Sequence, residues 1–515
     1  MSTRYSTRIW GILALAVLAF AFSAAAQDTS TPDSPAPAPG SAPQDNTSTP
    51  QQPIPAYGQE NPPPAVTENP PLSGLDLPSL EPHAAPLSYI QPGATVSESA
   101  DTNVANALGG GGSFTSITRA LGSLTLQRLW SHYDLAMDYI GGAAYYDSPG
   151  QGFKALQQMD LQQKITWKRG QLAARDSFSY LPEGNFGGGY GSLGSLGIES
   201  LGTTSFSTFY GGSSLGTLGL APRVLNVALA DVSEYLTPKS AVTAAGGYAF
   251  THFYGGFVPN TGASASSNFV GTSQVSGQVG YSRLLTSKTQ VAMVYGYQGF
   301  DFSVFATAFH SHIIQLMYGH QISGRMDLLI AAGPQLTLIG TACTALDVIA
   351  GNPHCSYNQA TMTVSGTIPD HRLGGAGQFR LRYKFTKTTV SASYQRFETS
   401  GSGLFAGAQS DIARLSAERP LSRVWRASTD IGYSRNARIQ PSSAGVAANR
   451  YTYDFAGVAL HRVFGHDFHG FASYQFNELY FDSSLCGTAG ACSRISNRNV
   501  ITFGLDWTPR PIRID

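Results

Sequence analysis

The sequence predicts an all-β fold: a transmembrane, antiparallel, up-and-down β-barrel of about sixteen strands, preceded by an export signal and a disordered Pro-rich segment. Three observations predict it. Residues 499–507 alternate strictly, with Ile501, Phe503, Leu505 and Trp507 on one face and Val500, Thr502, Gly504 and Asp506 on the other, and the same alternation recurs from about residue 131 onward. Tyr (25), Phe (27) and Gly (57) are plentiful, while charged residues make up only 12%. No segment beyond the N-terminus approaches the ~20 apolar residues of a spanning helix, since the best stretch, 328–339, is short and broken by Pro334 and Gln335. In hydrocarbon, a period-two pattern with an aromatic-rich apolar face is stable only as a closed sheet, which leaves no backbone group unpaired.

The chain opens with Arg4 and Arg8, an apolar run over 9–22, and Ala24-Ala25-Ala26. That is the charged, apolar and small-residue layout of a secretory signal cleaved after Ala26, so residues 1–26 are a signal peptide and the protein is exported. Residues 27–112 read as a separate acidic periplasmic segment. Between 27 and 100 lie 17 of the 29 prolines and eight acids, with no Lys or Arg. Such a composition buries too little apolar surface to offset its ordering entropy. Glycines 109–112 then act as a hinge before the barrel, 113–515.

Sixteen strands are expected: 131–146, 156–168, 171–180, 223–236, 240–253, 270–285, 289–303, 308–321, 326–339, 372–385, 388–397, 408–419, 424–436, 447–464, 467–482 and 494–508. Tight connections at 237–240, 287–288, 323–324, 420–422 and 465–467 alternate with long ones at 181–222, 254–269, 340–371 and 437–446. Short periplasmic turns and long surface loops give that rhythm. Residues 117–130 also alternate, and an even count with both termini in the periplasm leaves fourteen or eighteen strands as the alternatives. Four cysteines fall in the long-loop segments as two close pairs, Cys343/Cys355 and Cys486/Cys492. In an oxidising compartment these read as loop-closing disulfides rather than metal ligands.

From about residue 122 to 515 the chain resembles a bacterial outer-membrane β-barrel protein of the porin-like kind. The resemblance rests on the signal peptide, the hairpin rhythm and the final strand, whose Ile501, Phe503, Leu505 and Trp507 are similar to the signal read by barrel-assembly machinery. It implies the outer membrane of a diderm bacterium, with membrane lipid and that machinery as partners. The family signal ends on an aromatic residue, whereas here residues 508–515 follow Trp507.

A sixteen-stranded barrel has a lumen too wide for one layer of side chains to fill. Residues 371–464 carry fourteen Lys/Arg against five Asp/Glu, and alternation points Arg372, Arg380, Arg382, Lys384, Arg396, Arg414 and Arg426 inward. Cations lining a pore favour anions; the competing reading is that they neutralise neighbouring carboxylates. The 181–222 loop, Gly/Ser-rich with scattered Leu and aromatic residues, is a candidate constriction. The match Gly212-Ser213-Ser214-Leu215-Gly216 to a nucleophile elbow lies in a loop without the required strand and helix. No cofactor, metal or nucleic-acid motif is evident, and oligomeric state has no sequence signal. The expectation is a passive diffusion channel for small hydrophilic solutes, preferring anions. Its rivals are an adhesive or structural surface barrel with disulfide-closed loops and a blocked lumen, and, third, an outer-membrane enzyme. The N-terminal segment is expected to reach toward the cell wall.

Overall fold

The computed structural model describes residues 88–104, 109, 114–148, 151–181, 223–254, 270–302, 308–343, 345–358, 363–399, 401, 404–439, 448–486 and 493–514. The signal peptide, most of the Pro-rich segment, the 212–216 match and the loop beyond residue 181 lie outside these. The strands are β1 (Tyr89–Asp101), β2 (Thr115–Leu129), β3 (Tyr133–Tyr146), β4 (Gly152–Trp167), β5 (Gly170–Leu181), β6 (Arg223–Thr237) and β7 (Ser240–Phe253). They continue as β8 (Thr272–Thr286), β9 (Thr289–Phe302), β10 (Ala308–Ser323), β11 (Met326–Ala342), β12 (Cys355–Asn358) and β13 (Thr363–Lys384). The last are β14 (Thr389–Thr399), β15 (Ala408–Pro420), β16 (Trp425–Arg438), β17 (Arg450–Phe464), β18 (Phe468–Phe481), β19 (Ile495–Trp507) and β20 (Ile512–Arg513). Each barrel strand pairs antiparallel with its sequence neighbours, β11 pairs directly with β13, and β1 pairs with both β2 and β19. With β12 and β20 as short additions outside it, the ring has eighteen strands.

All sixteen expected strands are present, as β3–β11 and β13–β19. Two more precede them, so the count of sixteen is corrected to eighteen, and the barrel begins at Tyr89 rather than at residue 113. The physical reason lies in β1. Its outer face carries Ile90, Ala94, Val96, Glu98 and Ala100, with no aromatic residue, and Pro92 interrupts it. Locally it resembles the Pro-rich segment before it; its two partner strands make it a strand. The glycines at 109–112, of which only Gly109 is described, join β1 to β2 rather than the tail to the barrel. The 340–371 connection is also shorter than expected, because the β11–β13 ladder continues out to Ala342↔Thr367.

The seam is zipped on its inner face. Arg498 Nε donates to Asp101 Oδ2 at 2.8 Å, Thr95 Oγ1 to Asp506 Oδ1 at 2.7 Å and Arg119 to Ser99 Oγ at 2.8 Å, while Ser99 and Thr502 share a hydrogen bond of 3.0 Å. The Arg498 and Asp101 side chains are 8% and 0% exposed. The segment after Trp507 extends this seam: Ile512 and Arg513 pair with Ile90 and Tyr89, and Gln91 Nε2 donates to the Pro509 carbonyl at 2.9 Å.

Alternation decides which face meets lipid. Ile501, Phe503, Leu505 and Trp507 are exposed, between 40% and 61%, whereas Val500 and Thr502 are buried inside. The tight turns lie at one end, together with the start of β1 and the end of β19. There Trp130, Trp167, Tyr235, Phe385, Trp425 and Trp507 are exposed on or beside the turns, as an interfacial aromatic girdle requires. Arg462 caps this belt over the rings of Trp425 and Phe464 at 5.2 and 4.8 Å. Inside, glycines admit rings against the wall: Phe471 lies over Gly504 and Phe455 over Gly432, where any Cβ would collide with the ring. At the opposite end Cys343 and Cys355, 5.6 Å apart at Cα, close the β11–β13 hairpin around helix α1 (Ala345–Ile349). Cys486 is also disulfide-bonded, and its expected partner Cys492 lies outside the described residues. The chain is an outer-membrane β-barrel: a closed sheet, apolar outside and polar inside, with short turns at the end that holds both ends of the ring.

Breaking the seam tests this closure. Asp101→Ala leaves Arg498 buried without its counter-charge, a loss of about 3–5 kcal/mol. We expect less heat-modifiable, folded barrel on refolding, with Asp101→Ala/Arg498→Met recovering part of it, read by electrophoretic mobility with and without boiling.

Candidate functional site: the lumen and the segment across its mouth

The inner wall has regions of distinct chemistry. Across β8–β11, above Asp327 at the turn end of β11, it is neutral, built from Gln274, Gln278, Gln298, Ser311, Gln335 and Thr337, all buried. On β3 and β4 it is acidic, where Asp138 and Asp160 stand directly opposite each other across the ladder. Thr125 Oγ1 donates to Asp138 at 2.7 Å, and Gln158 Nε2 to Asp160 at 3.0 Å. On β13–β16 it is mixed. Arg382 Nε bonds both Asp327 oxygens at 3.0 and 3.1 Å, Arg414 Nε bonds both Asp430 oxygens at 2.9 and 3.0 Å, and Arg426 pairs with Glu418 at 3.2 Å.

The seven expected lumen cations therefore divide. Arg372, Arg380, Arg382 and Lys384 share the inner face of β13, as the pairings Arg372↔Thr337 and Arg382↔Asp327 show, and Arg414 and Arg426 lie on the inner faces of β15 and β16. Arg382, Arg414 and Arg426 are held in ion pairs with carboxylates. Arg396 does not join them. It stands opposite Gly377, one residue out of phase with Gln395 and on the outer face with Phe379 and Tyr394, and bonds Gln409 at 3.1 Å and Asp411 at 3.5 Å. This corrects the inward assignment of Arg396: counting from the core of β14 places Ser391, Ser393 and Gln395 inward instead.

The least expected element is the short connection between β14 and β15. The β13–β14 ladder runs from Lys384↔Thr389 to Gly377↔Arg396 and stops there among the described residues, although β13 itself continues to Thr363. Above that point β14 leaves the wall. Glu398 and Gln409 belong by alternation to the outer face, yet they are 3% and 6% exposed. Their partners lie on the inner wall: Thr337 Oγ1 donates to Glu398, and Arg372 donates to Gln409 Oε1 at 3.2 Å. The tops of β14 and β15 therefore pass inside β11 and β13 rather than beside them.

The connection then crosses the mouth. Gly401 and Gly407, with φ of 83° and 87°, occupy the left-handed region that glycine adopts without strain, and they turn the chain at each end. Between them Leu404 and Phe405, with Ala408, pack into Tyr451, Tyr453, Phe455, Leu479 and Phe481 of β17 and β18, with Phe253 of β7 against the same cluster. Ala406 packs instead on the cluster of Phe300, Phe302, Phe309 and Ile339 from β9–β11. β7 is the seventh strand of the ring and β17 the sixteenth, half a circumference apart, so this apolar bar spans the barrel at its loop end. Sequence reasoning passed over it because a connection from 397 to 408 looks like an ordinary hairpin loop. Its one signal is a Leu-Phe pair among Gly and Ser.

The histidines are dispersed. His310 and His312 lie on the outer face, hydrogen-bonded to the hydroxyls of Tyr297 and Tyr295 at 2.9 and 2.8 Å, and His320 to that of Thr289 at 2.9 Å. Among the described residues no group of three His, Cys, Asp or Glu side chains could hold a metal ion.

No family model matches this chain, and no curated protein matches it. Solved structures overlap it at low identity. Pseudomonas aeruginosa OccK8 (OprE) is 9% identical with a TM-score of 0.37, covering 83% of this chain and 100% of that one. Pseudomonas aeruginosa OpdQ is 8% identical with a TM-score of 0.39, covering 82% and 98%. The ferric-catecholate import receptor Fiu from E. coli K12 is 9% identical with a TM-score of 0.37, covering 81% of each chain. The closed sheet and its lipid-facing band, rather than these overlaps, establish the barrel.

If Phe405 seals the mouth, truncating it opens a path to the wall below. A cysteine at Gln335, which is 1% exposed, should react slowly with an added water-soluble thiol reagent. It should react faster in the Phe405→Ala background, where loss of the ring costs the bar about 3–5 kcal/mol; equal labelling rates would show that the bar does not limit access.

Proposed function

We propose that this protein is a passive outer-membrane channel for small hydrophilic solutes, narrowed at its outer mouth by the 404–408 bar. The observation that carries this reading is the ring of eighteen strands with a polar, charged inner wall. Barrels of this size leave an aqueous lumen unless something fills them, and here an apolar segment lies across one end. The blocked structural barrel is the second reading, favoured by that same bar and by the Cys343–Cys355 staple at the surface.

Any charge preference is weak, because Arg382, Arg414 and Arg426 are matched by Asp327, Asp430 and Glu418. A residual preference for anions rests on the row of Arg372, Arg380, Arg382 and Lys384 along one inner face of β13, with Asp327 opposite Arg382 and Glu398 on Thr337, the ladder partner of Arg372. Asp138 and Asp160 on the far wall oppose it. Nothing in the reading requires chemistry: the wall binds and orients solutes by hydrogen bonds and fixed charge, and the gradient supplies direction.

Planar-bilayer recording decides between the two readings. Folded, heat-modifiable protein should give discrete current steps, with a reversal potential shifted slightly toward anions. Arg380→Glu with Lys384→Glu should move that potential toward cations without abolishing the steps. Absence of steps from folded protein, with or without Phe405→Ala, establishes the structural barrel instead.

A further inference from the structure

Among the described residues, β13 has an unused edge. Its β11 side is paired out to Thr367, whereas its β14 side is paired only up to Gly377. A tilted strand needs ~9–11 residues to cross hydrocarbon, and eleven residues counted from Lys384 end at Gly374. The unused stretch therefore starts near the outer boundary of the membrane, where water satisfies its N–H and C=O groups. Leu373 within it is 75% exposed.

The segment that would continue the wall is the one turned inward. The observed register pairs Gln378 with Gln395 and Gly377 with Arg396. Extending it puts Phe397 opposite Ala376, Glu398 opposite Gly375 and Thr399 opposite Gly374. A side-chain atom at Gly374 or Gly375 would meet its nearest neighbours at 3.7 and 4.0 Å, an ordinary contact, so a side chain is accommodated at either position. We propose that the top of β14 is a strand-zipper gate: in a second state residues 397–399 pair with 374–376 of β13 and withdraw Leu404 and Phe405 from the mouth.

Each state satisfies what the other gives up. The inward state buries Leu404 and Phe405 among β17–β18 aromatics and bonds Glu398 to Thr337 and Gln409 to Arg372. The zipped state exchanges those for ladder hydrogen bonds along β13 and restores Glu398 to the outer face, opposite Gly375 at the outer boundary of the membrane. Gly401 and Gly407, at φ of 83° and 87°, already turn the tip beyond the Thr399↔Ala408 pair, and backbone change at these glycines would free Leu404 and Phe405 as 397–399 zip. Discrete pairing registers, rather than continuous bending, make the element two-state.

The gate rests on the channel reading, and crosslinking separates the two. Gly375→Cys/Glu398→Cys and, independently, Gly374→Cys/Thr399→Cys place thiols directly opposite each other only in the zipped state. We expect at least one pair to form a disulfide in folded, heat-modifiable protein, identified by peptide mass. The crosslinked form should show larger current steps with fewer closures, reverting on reduction while wild type under the same reductant, with Cys343–Cys355 as control, does not change. Failure of both pairs to crosslink in folded protein overturns the gate, as does crosslinking that leaves step size unaltered. Crosslinking with no current in either redox state upholds the movement and overturns the channel.

Discussion

Everything in this molecule depends on closing the sheet. A strand edge in hydrocarbon leaves its N–H and C=O groups without partners, at a cost of several kcal/mol each, so a barrel one strand short is not a looser barrel but an unstable one. Here closure falls to β1, the strand with the poorest outer face, held between β2 and β19. Its inner face compensates: Asp101 with Arg498, Ser99 with Thr502 and Arg119, and Thr95 with Asp506 join the first strands to the last. A buried ion pair contributes little net stability against an apolar replacement, but it penalises wrong register heavily. That suits a seam, where a one-residue slip would turn Glu98 and Asp101 to the wrong faces.

The same constraint explains where the wall relaxes. Among the described residues the strands are paired through most of the hydrocarbon, and β14 leaves β13 only near its outer boundary, beyond Gly377↔Arg396. There the chain is free to fold inward, and the aromatic tops of β17 and β18 offer Leu404 and Phe405 a dry site. The polar residues at the crossing, Glu398, Gln409, Arg372 and Thr337, find one another because the outer face of one hairpin lies on the inner face of another. The charged walls and the apolar bar are thereby separated in space. Charge is arranged on the long walls, and the narrowing is apolar and local.

Much of this was legible in the residues. Alternation located the sixteen strands β3–β11 and β13–β19, because period two read against lipid admits no other face assignment. Ile501, Phe503, Leu505 and Trp507 show it most plainly. Cys343 and Cys355 were placed together by spacing and compartment. The lumen cations were legible only in part. Parity separates faces but not partners, so it could not show that Arg382, Arg414 and Arg426 each meet a carboxylate. At Arg396 the inward assignment is off by one residue, since the pairing Gly377↔Arg396 puts it on the outer face. β1 and the 404–408 bar were not legible, since neither has a local pattern distinct from a loop.

The sequence by itself determined the class of fold, the solvent in which it folds, the face each strand turns to lipid and the end at which the long loops lie. These follow from periodicity and composition, which are local quantities summed over many residues. The tertiary structure alone decided the eighteenth strand, the closure and the bar across the mouth. Each depends on distant partners: Asp101 on Arg498, Phe405 on Phe253 and Phe481, Glu398 on Thr337. A residue whose position is set by such distant contacts carries no local signature of it, and only the closed sheet brings those contacts together.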